Sequence, residues 1–345
     1  MLKENLLGYT RPQLEDLMIG MGAKSFHGRQ LFKWLYQTRQ YDFDLMSDLK
    51  KDLRVKLAEQ YMIEGLSLEL KTKSVDGTEK LLFRLADGHP IETVLIPDES
   101  RGSKTVCISS QAGCALGCRF CATGTMGLLR DLTVGEIVGQ LVYLREMYGD
   151  DCFSHVVFMG MGEPLNNFKN VMEALRIMTD TIGLGLSAKK ITVSTSGVTP
   201  KIRKLADSGL KVKLALSLHA AIQEKRERIM PVAETFGLDK LMEAVRYFAD
   251  TVGSRVTFEY ILFDGFNDTM EDVKALAQLV QGIPCKINVL AYNPVPGLDY
   301  NRPSDEKVDW FGRQLYPRAP AVTVRKSRGL DIDAACGQLA GRMKR

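Results

Sequence analysis

Hydrophobic and polar positions change their period twice along the chain. In the first sixty or so residues, apolar side chains return at three- and four-residue steps. Arg11-Pro-Gln-Leu14-Glu-Asp-Leu17-Met18 does so behind Thr10, and Gly28-Arg-Gln-Leu31-Phe32-Lys-Trp34-Leu35-Tyr36 repeats the pattern. That spacing gathers apolar groups on one helical face, and a threonine followed by an early proline marks a helix start. Short helices are expected there, with Trp34 and Tyr36 in their core. Over residues 66–97 the period falls to two. Ser67-Leu-Glu-Leu-Lys-Thr-Lys, Lys80-Leu-Leu-Phe-Arg-Leu and Ile91-Glu92-Thr-Val-Leu-Ile-Pro97 read as antiparallel strands, turned at Asp76-Gly77 and Asp87-Gly88. The polar stretch Pro97-Asp-Glu-Ser-Arg-Gly-Ser-Lys104 reads as a linker and a domain boundary.

Beyond it strands and helices alternate. Strands are predicted over residues 104–109, 154–159, 190–196, 211–218, 255–263, 285–292 and 321–326, and helices over 134–148, 171–179, 201–208, 238–251 and 269–280. Repeated βα units imply a parallel sheet with right-handed crossovers. The predicted fold is therefore α/β, an incomplete TIM-like (β/α)6 barrel with a closing strand. The expected units are a helical N-terminal domain (1–62), an antiparallel strand extension (63–99), the partial barrel (100–330) and a C-terminal segment (331–345). In such barrels chemistry collects at the C-terminal ends of the strands.

The 345 residues carry a mild net charge of +4, so any nucleic-acid contact must come from local basic groups rather than a broad cationic field. Lys24, Arg29 and Lys33 in the N-terminal helices could make such contacts or simply form a solvated face. Seven cysteines, an odd number, argue against a disulfide scaffold and suit a reducing cytoplasm. The N-terminal run Met1-Leu-Lys-Glu-Asn-Leu-Leu-Gly is too short and too charged for a signal peptide, and no stretch reaches membrane-spanning length.

The densest chemistry lies in Cys114-Ala-Leu-Gly-Cys118-Arg-Phe-Cys121, with Gly113, Gly117 and Gly124 around it. One short loop can turn three thiolates toward a common centre, as an iron–sulfur cluster requires. A zinc site wants four ligands, usually in two close pairs, and no second C-x-x-C exists. A redox dithiol would leave Cys114 without a purpose. Three ligands on a 4Fe–4S cluster leave one iron open, which marks a reactive site. Four further stretches follow or end predicted strands: Gly160-Met-Gly162-Glu163, Thr195-Ser196-Gly197, Ser217-Leu218-His219 and Asn293-Pro-Val-Pro-Gly. All fall on one face of the expected barrel. Cys336, in Asp331-Ile-Asp-Ala-Ala-Cys336-Gly, stands among small residues that let backbone approach closely.

The cysteine loop with Met159-Gly-Met-Gly-Glu-Pro164 resembles the radical S-adenosylmethionine (SAM) superfamily. Arg325-Lys-Ser-Arg-Gly329 and the Cys336 stretch look like the RlmN family of dual-specificity RNA adenine C2-methyltransferases, and the resemblance runs from about Leu6 nearly to the last residue. It implies that Cys114, Cys118 and Cys121 ligate the cluster. It implies that Gly162, Glu163, Ser194, Ser217, Leu218, His219 and Asn293 bind SAM. It further implies that Cys336 accepts a methyl group from one SAM, while a second SAM is cleaved to a radical that activates that methyl for attack on adenine C2. Cys107 would then resolve the adduct through a transient disulfide with Cys336, and Glu92 would take the C2 proton. Substrates implied by the family are 23S rRNA and tRNA, and the implied electron donor is a flavodoxin. A carbon radical makes chemical sense here, because adenine C2 is electron-poor and its hydrogen is not acidic.

Three other readings share parts of this pattern. A Cfr-like enzyme would use both cysteines to methylate adenine C8, although Glu163-Pro164 and Arg325-Lys-Ser-Arg-Gly look like the C2 branch. A radical SAM activase of a partner protein would need neither Cys107 nor Cys336. A non-catalytic iron–sulfur RNA-binding protein would not need Gly160-Met-Gly-Glu163. Arg325, Lys326 and Arg328 are candidates for RNA phosphate. Cys152 and Cys285 match no motif and read as core or incidental.

Overall fold

The computed structural model describes residues 3–98 and 102–341. The N-terminal region forms three helices, α1 (Arg11–Gly20), α2 (Phe26–Lys33) and α3 (Lys51–Gln60). Thr10 and Gln13 form a capping box at the start of α1, which satisfies backbone donors that the first turn leaves free. Leu31, Phe32, Leu35 and Tyr36 of the expected apolar stripe are buried, whereas Trp34, expected in the core, is half-buried at its edge because its indole N–H reaches out to Asp48; the second half, Trp34–Thr38, is wound as a wider π-helical turn. Its Tyr36 hydroxyl accepts from the Gly8 N–H at 2.8 Å and donates to the Tyr9 carbonyl, tying the entering chain to the helices.

One ten-stranded sheet carries the rest. Its strands are β1 (Ser67–Lys73), β2 (Glu79–Arg84), β3 (Pro90–Asp98), β4 (Ser103–Cys107), β5 (His155–Phe158), β6 (Ile191–Thr195), β7 (Lys213–Ser217), β8 (Val256–Leu262), β9 (Cys285–Ala291) and β10 (Val322–Arg325). They lie side by side in chain order, antiparallel from β1 to β4 and parallel from β4 to β10. The parallel part is the partial barrel that the alternating pattern implied. The expected linker is not a gap between two bodies. β3 and β4 pair from Asp98↔Ser103 to Val94↔Cys107, so Pro97, Asp98, Ser103 and Lys104 lie in strands of one continuous sheet. The tip of that hairpin, residues 99–101, lies outside the described residues. Polar composition suggested a linker because these residues are half-exposed, whereas backbone pairing does not depend on side-chain polarity.

Between the parallel strands run α4 (Val134–Tyr148), α5 (Phe168–Thr179), α6 (Thr199–Asp207), α7 (Gln223–Ile229), α8 (Leu238–Val252), α9 (Met270–Leu279) and α10 (Asp305–Leu315). Helices α7 and α10 were not expected. Gln223-Glu-Lys-Arg-Glu-Arg-Ile has almost no apolar period, and α10 starts from a Ser304 cap after a proline-rich loop. The core is continuous from Leu6 and Phe32 through Leu214 and Phe258 to Leu339, so the N-terminal helices and the barrel share one apolar interior. No described helix is long and apolar enough to cross a membrane.

After β10, residues 329–341 run back as a strap past the cysteine loop to β1–β3. Gly329 N–H donates to Asp76 Oδ2 and the Ser74 hydroxyl donates to Asp331. Lys80 Nζ donates to the Asp333 carbonyl, Ala122 N–H to that of Gly337, and the Thr123 hydroxyl to that of Leu339. The end of the strap is held by Glu92, whose Oε2 accepts from Ala340 N–H at 2.9 Å and Gly341 N–H at 3.2 Å.

Candidate active site

The last residues of β5 to β10 surround a cavity of about 920 Å³ of atom-free space, its open mouth included. Phe158, Ser194, Thr195, Ser217, Ile261, Leu290 and Arg325 are all at or near strand ends, and all line it. The predicted motifs meet there too: Cys114, Cys118, Cys121, Gly160, Gly162, Glu163, His219 and Cys336 are on the same wall.

The cysteine loop is compact. Cys121 N–H donates to the Cys118 carbonyl, and a side chain at Gly124 would come within 2.9 Å of that same oxygen. Arg119 N–H is held by the Ile229 carbonyl at the end of α7. Burial pushes the Cys114 thiol up to about 12 and raises those of Cys118 and Cys121. A negative charge on Cys121 further disfavours ionising Cys114 and Cys118, so the three sulfurs are neighbours. Among the described residues no three His, Cys, Asp or Glu groups converge on a single ion. In a 4Fe–4S cluster each thiolate binds a different iron, so the three sulfurs need not converge on one ion. Backbone N–H groups of Thr123 and Gly124 and the Ser196 hydroxyl already point to these sulfurs, the kind of hydrogen bonding that supports bound thiolate. The donor set fits a 4Fe–4S cluster.

Next to it, the chain after β5 must turn against the β4 loop with no room for side chains. A Cβ on Gly160 would lie 2.7 Å from the Ile108 carbonyl carbon, and one on Gly162 (φ +97°) would lie 2.5 Å from Gln111 Cβ. The turn delivers Glu163, which is buried. Its Oε2 accepts from Ser196 N–H at 2.8 Å and its Oε1 from Leu165 N–H. Burial lifts the carboxyl to about 7, while these donors pull the other way. His219 sits beyond β7 at φ +56°, an unusual backbone angle for a side-chain-bearing residue. Asn267 holds it, donating to the carbonyls of His219 (2.6 Å) and Ile261 (2.7 Å). His219 Nδ1 accepts from Ile261 N–H, which leaves the ring proton on Nε2. Burial and the neighbouring Arg226 push this imidazole down to about 3, so it is neutral.

Cys336 keeps accessible surface toward the cavity although protein surrounds it. Burial raises its thiol, and Arg325 opposes that rise. Cys107, at the end of β4, is buried behind Met159, and the charge of Cys336 disfavours its ionisation, so the two sulfurs are near one another. Asn293 does not reach the wall with its side chain; it donates to the Cys336 carbonyl at 3.1 Å and accepts from Arg302. Leu218 is core, with its backbone N–H on Glu259 and its carbonyl on Arg226. Glu92 also stays off the wall. It is 0% exposed, ion-paired with Lys80 at 3.1 Å and bonded to the strap. Arg29 is paired with Glu15 at 3.1 Å, which leaves it less free to meet phosphate than Lys24 or Lys33.

Residues 4–63 match the family described as Ribosomal RNA large subunit methyltransferase N-terminal domain, and residues 108–280 match the Radical SAM superfamily. The dual-specificity RNA methyltransferase RlmN of Geotalea uraniireducens is 44% identical over 99% of this chain and 98% of its own. The chain belongs to the RlmN family. A probable dual-specificity RNA methyltransferase RlmN of Christiangramia forsetii is 43% identical over 99% of this chain and 97% of its own. Among solved structures, a radical SAM methyltransferase from Sphaerobacter thermophilus superposes with a TM-score of 0.91 at 41% identity, over 98% of this chain and all of the other. RlmN membership makes the protein a radical SAM enzyme, which uses SAM and a 4Fe–4S cluster.

Sequence reasoning missed Lys80, Arg226, Glu259 and Asn267. Lys80 sits in a predicted strand, where lysine normally faces solvent. Glu259 lines the cavity from β8 and accepts from Asn288 at 2.8 Å, yet its local sequence Thr-Phe-Glu-Tyr reads as an ordinary strand. Nothing local distinguishes these residues; only burial does.

Proposed function

We propose that this protein methylates C2 of adenine in 23S rRNA and in tRNA, passing the methyl group of SAM through Cys336. What carries the reading is the accessible Cys336 thiol on the wall shared with the three loop cysteines and Glu163, with Cys107 close behind. An activase has no use for that pair of thiols, and a non-catalytic RNA-binding protein has no use for the Gly162–Glu163 turn.

In this reading Cys114, Cys118 and Cys121 hold the cluster, which with bound SAM supplies one-electron cleavage and hence a carbon-centred radical. Glu163 accepts the ammonium group of SAM, and the bare Gly160 and Gly162 let backbone come close to it. Ser194, Ser217 and His219 complete the SAM site, with Leu218 acting from the core by fixing the turn between Ser217 and His219, and Asn293 through its hold on Cys336. The Cys336 thiolate takes the methyl group by displacement, with Arg325 favouring the anion. Cys107 resolves Cys336 through a transient disulfide, since a thiolate nearby is the required attacker. Glu92 accepts the C2 proton once Ala340 and Gly341 release its Oε2; a general base needs hydrogen-bond reach to its proton. The helical domain of residues 1–62 contacts RNA, with Lys24, Lys33, Lys326 and Arg328 as phosphate partners, and the target base is unstacked into the cavity. The segment 331–345 is the methyl-carrying unit. A flavodoxin-type protein is the electron donor.

The test is anaerobic reconstitution with SAM, reductant and RNA, followed by mass spectrometry of the nucleosides. 2-Methyladenosine that disappears in Cys336→Ala supports the proposal. 8-Methyladenosine would assign the Cfr-like C8 chemistry instead, and SAM cleavage without a methylated base would overturn RNA methylation.

A further inference from the structure

Arg226 is among the largest fully buried side chains in the protein, with 0% exposure. It projects from α7, the helix whose last carbonyl anchors the cysteine loop. Its Nη2 donates to the Ser196 carbonyl at 2.6 Å and its Nε to the Leu218 carbonyl at 3.2 Å, so it joins the loops after β6 and β7. Its Nη1 is buried and has no hydrogen-bond partner. Among the described residues no carboxylate is ion-paired with it. A guanidinium taken out of water without a counter-ion is costly, and such charges normally carry a partner. The anionic group it does feel is the Cys118 sulfur, and the same Ser196 whose carbonyl it holds donates its hydroxyl to that sulfur. The side chain is not on the cavity wall, so it does not touch SAM or RNA there.

We propose that Arg226 is the built-in counter-charge of the iron–sulfur cluster, a positioning residue whose fixed cation sets the cluster's reduction potential. The inference rests on the cluster assignment above. Three thiolates make the bound cluster anionic, and reduction adds one more negative charge beside Arg226. A buried cation on the helix that anchors the cysteine loop stabilises the reduced form over the oxidised one, and net charge and hydrogen bonding at sulfur are the levers that tune such potentials. The unsatisfied Nη1 marks charge built for a partner that arrives with the cofactor.

The test is an EPR-monitored redox titration of reconstituted wild type, Arg226→Gln, Arg226→Met and Arg226→Lys, with melting curves of each before and after cluster loading. Poised at the wild-type midpoint, the neutral variants should show about a tenfold lower ratio of reduced to oxidised cluster, ~59 mV for one electron. Arg226→Lys should stay within about threefold of wild type, because the charge is kept. Before loading, the neutral variants lose the donors to the Ser196 and Leu218 carbonyls but also shed an uncompensated buried charge, so they should still fold and melt close to the wild-type temperature, and loading should raise their melting temperature less. Equal potentials in all four proteins would overturn the inference, as would an equal drop in the lysine and neutral variants. A neutral variant that cannot fold before loading overturns it too, since the guanidinium would then serve the protein alone. A wild type that binds no iron and sulfide would overturn the cluster assignment, and this inference with it.

Discussion

Replacing Lys80 by methionine removes one half of a buried ion pair while keeping an unbranched side chain of similar length. Both partners are almost completely enclosed, Lys80 at 1% and Glu92 at 0% side-chain exposure, with Nζ 3.1 Å from Oε1. Breaking such a pair typically costs about 3–5 kcal/mol, because the remaining charge has no water to turn to. At roughly 2.1 cal/mol/K per residue, 345 residues give an unfolding entropy near 0.7 kcal/mol/K, so the melting temperature should fall by about 4–7 °C at pH 8. Burial already raises the Glu92 carboxyl, and Lys80 is the main influence pulling it down. Without Lys80 it rises further. A carboxyl whose folded-state pKa is raised favours the folded state below its unfolded pKa and loses that advantage as pH climbs through the folded value. The deficit should therefore be large at pH 8 and shrink toward pH 4–5. The strap should also loosen, because Lys80 holds the Asp333 carbonyl and ionised Glu92 holds Ala340 and Gly341. Scanning calorimetry across pH, with alkylation of Cys336 followed by peptide mass spectrometry, measures both effects. A melting temperature unchanged at pH 8, or a deficit that does not vary with pH, would refute the reasoning. So would alkylation of Cys336 at the wild-type rate.

Other substitutions probe the cavity wall. Gly162→Ala places a Cβ 2.5 Å from Gln111 Cβ at a positive φ, and should weaken SAM binding by tenfold or more, about 1.4 kcal/mol, in calorimetric titration. Glu163→Gln removes a carboxyl that burial lifts to about 7; because the raised group costs stability as pH rises from its unfolded value to 7, the cluster-free variant should gain on the order of 1–3 kcal/mol at pH 8 in denaturant unfolding and lose SAM affinity. An unchanged or lower stability at pH 8 would contradict the burial argument. Asn267→Leu strips donors from the His219 and Ile261 carbonyls and an acceptor from Phe263 N–H; at about 1–3 kcal/mol for each buried unsatisfied group, the protein should lose at least 3 kcal/mol in the same unfolding measurement.

Much of the barrel was legible because its signals are local. Burial on both faces writes a parallel strand as a short apolar run, and Leu214, Ala215 and Leu216 of β7 are all fully enclosed. Helix α4 is found at its expected bounds because a Thr133–Glu136 capping box and Gly149 punctuate it. The loop cysteines and the Gly162–Glu163 turn were visible for a different reason. Their chemistry needs fixed residue types at short spacing, so the motif survives without any knowledge of the fold.

What the chain could not reveal by itself are relations between residues far apart in sequence. The hairpin that makes β1–β10 one sheet is backbone pairing, blind to the polar side chains that suggested a linker. Lys80 and Glu92 sit in strands, where such side chains usually face water, but the returning strap packs on both, Asp333 lying 253 residues beyond Lys80 and Ala340 lying 248 beyond Glu92. Arg226 sits in a polar helix with no apolar period, and its meaning comes from the two loops that close over it. Sequence determined the sites whose ligands are neighbours along the chain. Tertiary structure decided the burial of charge, because whether a lysine, glutamate or arginine keeps its water depends on what the rest of the molecule lays over it.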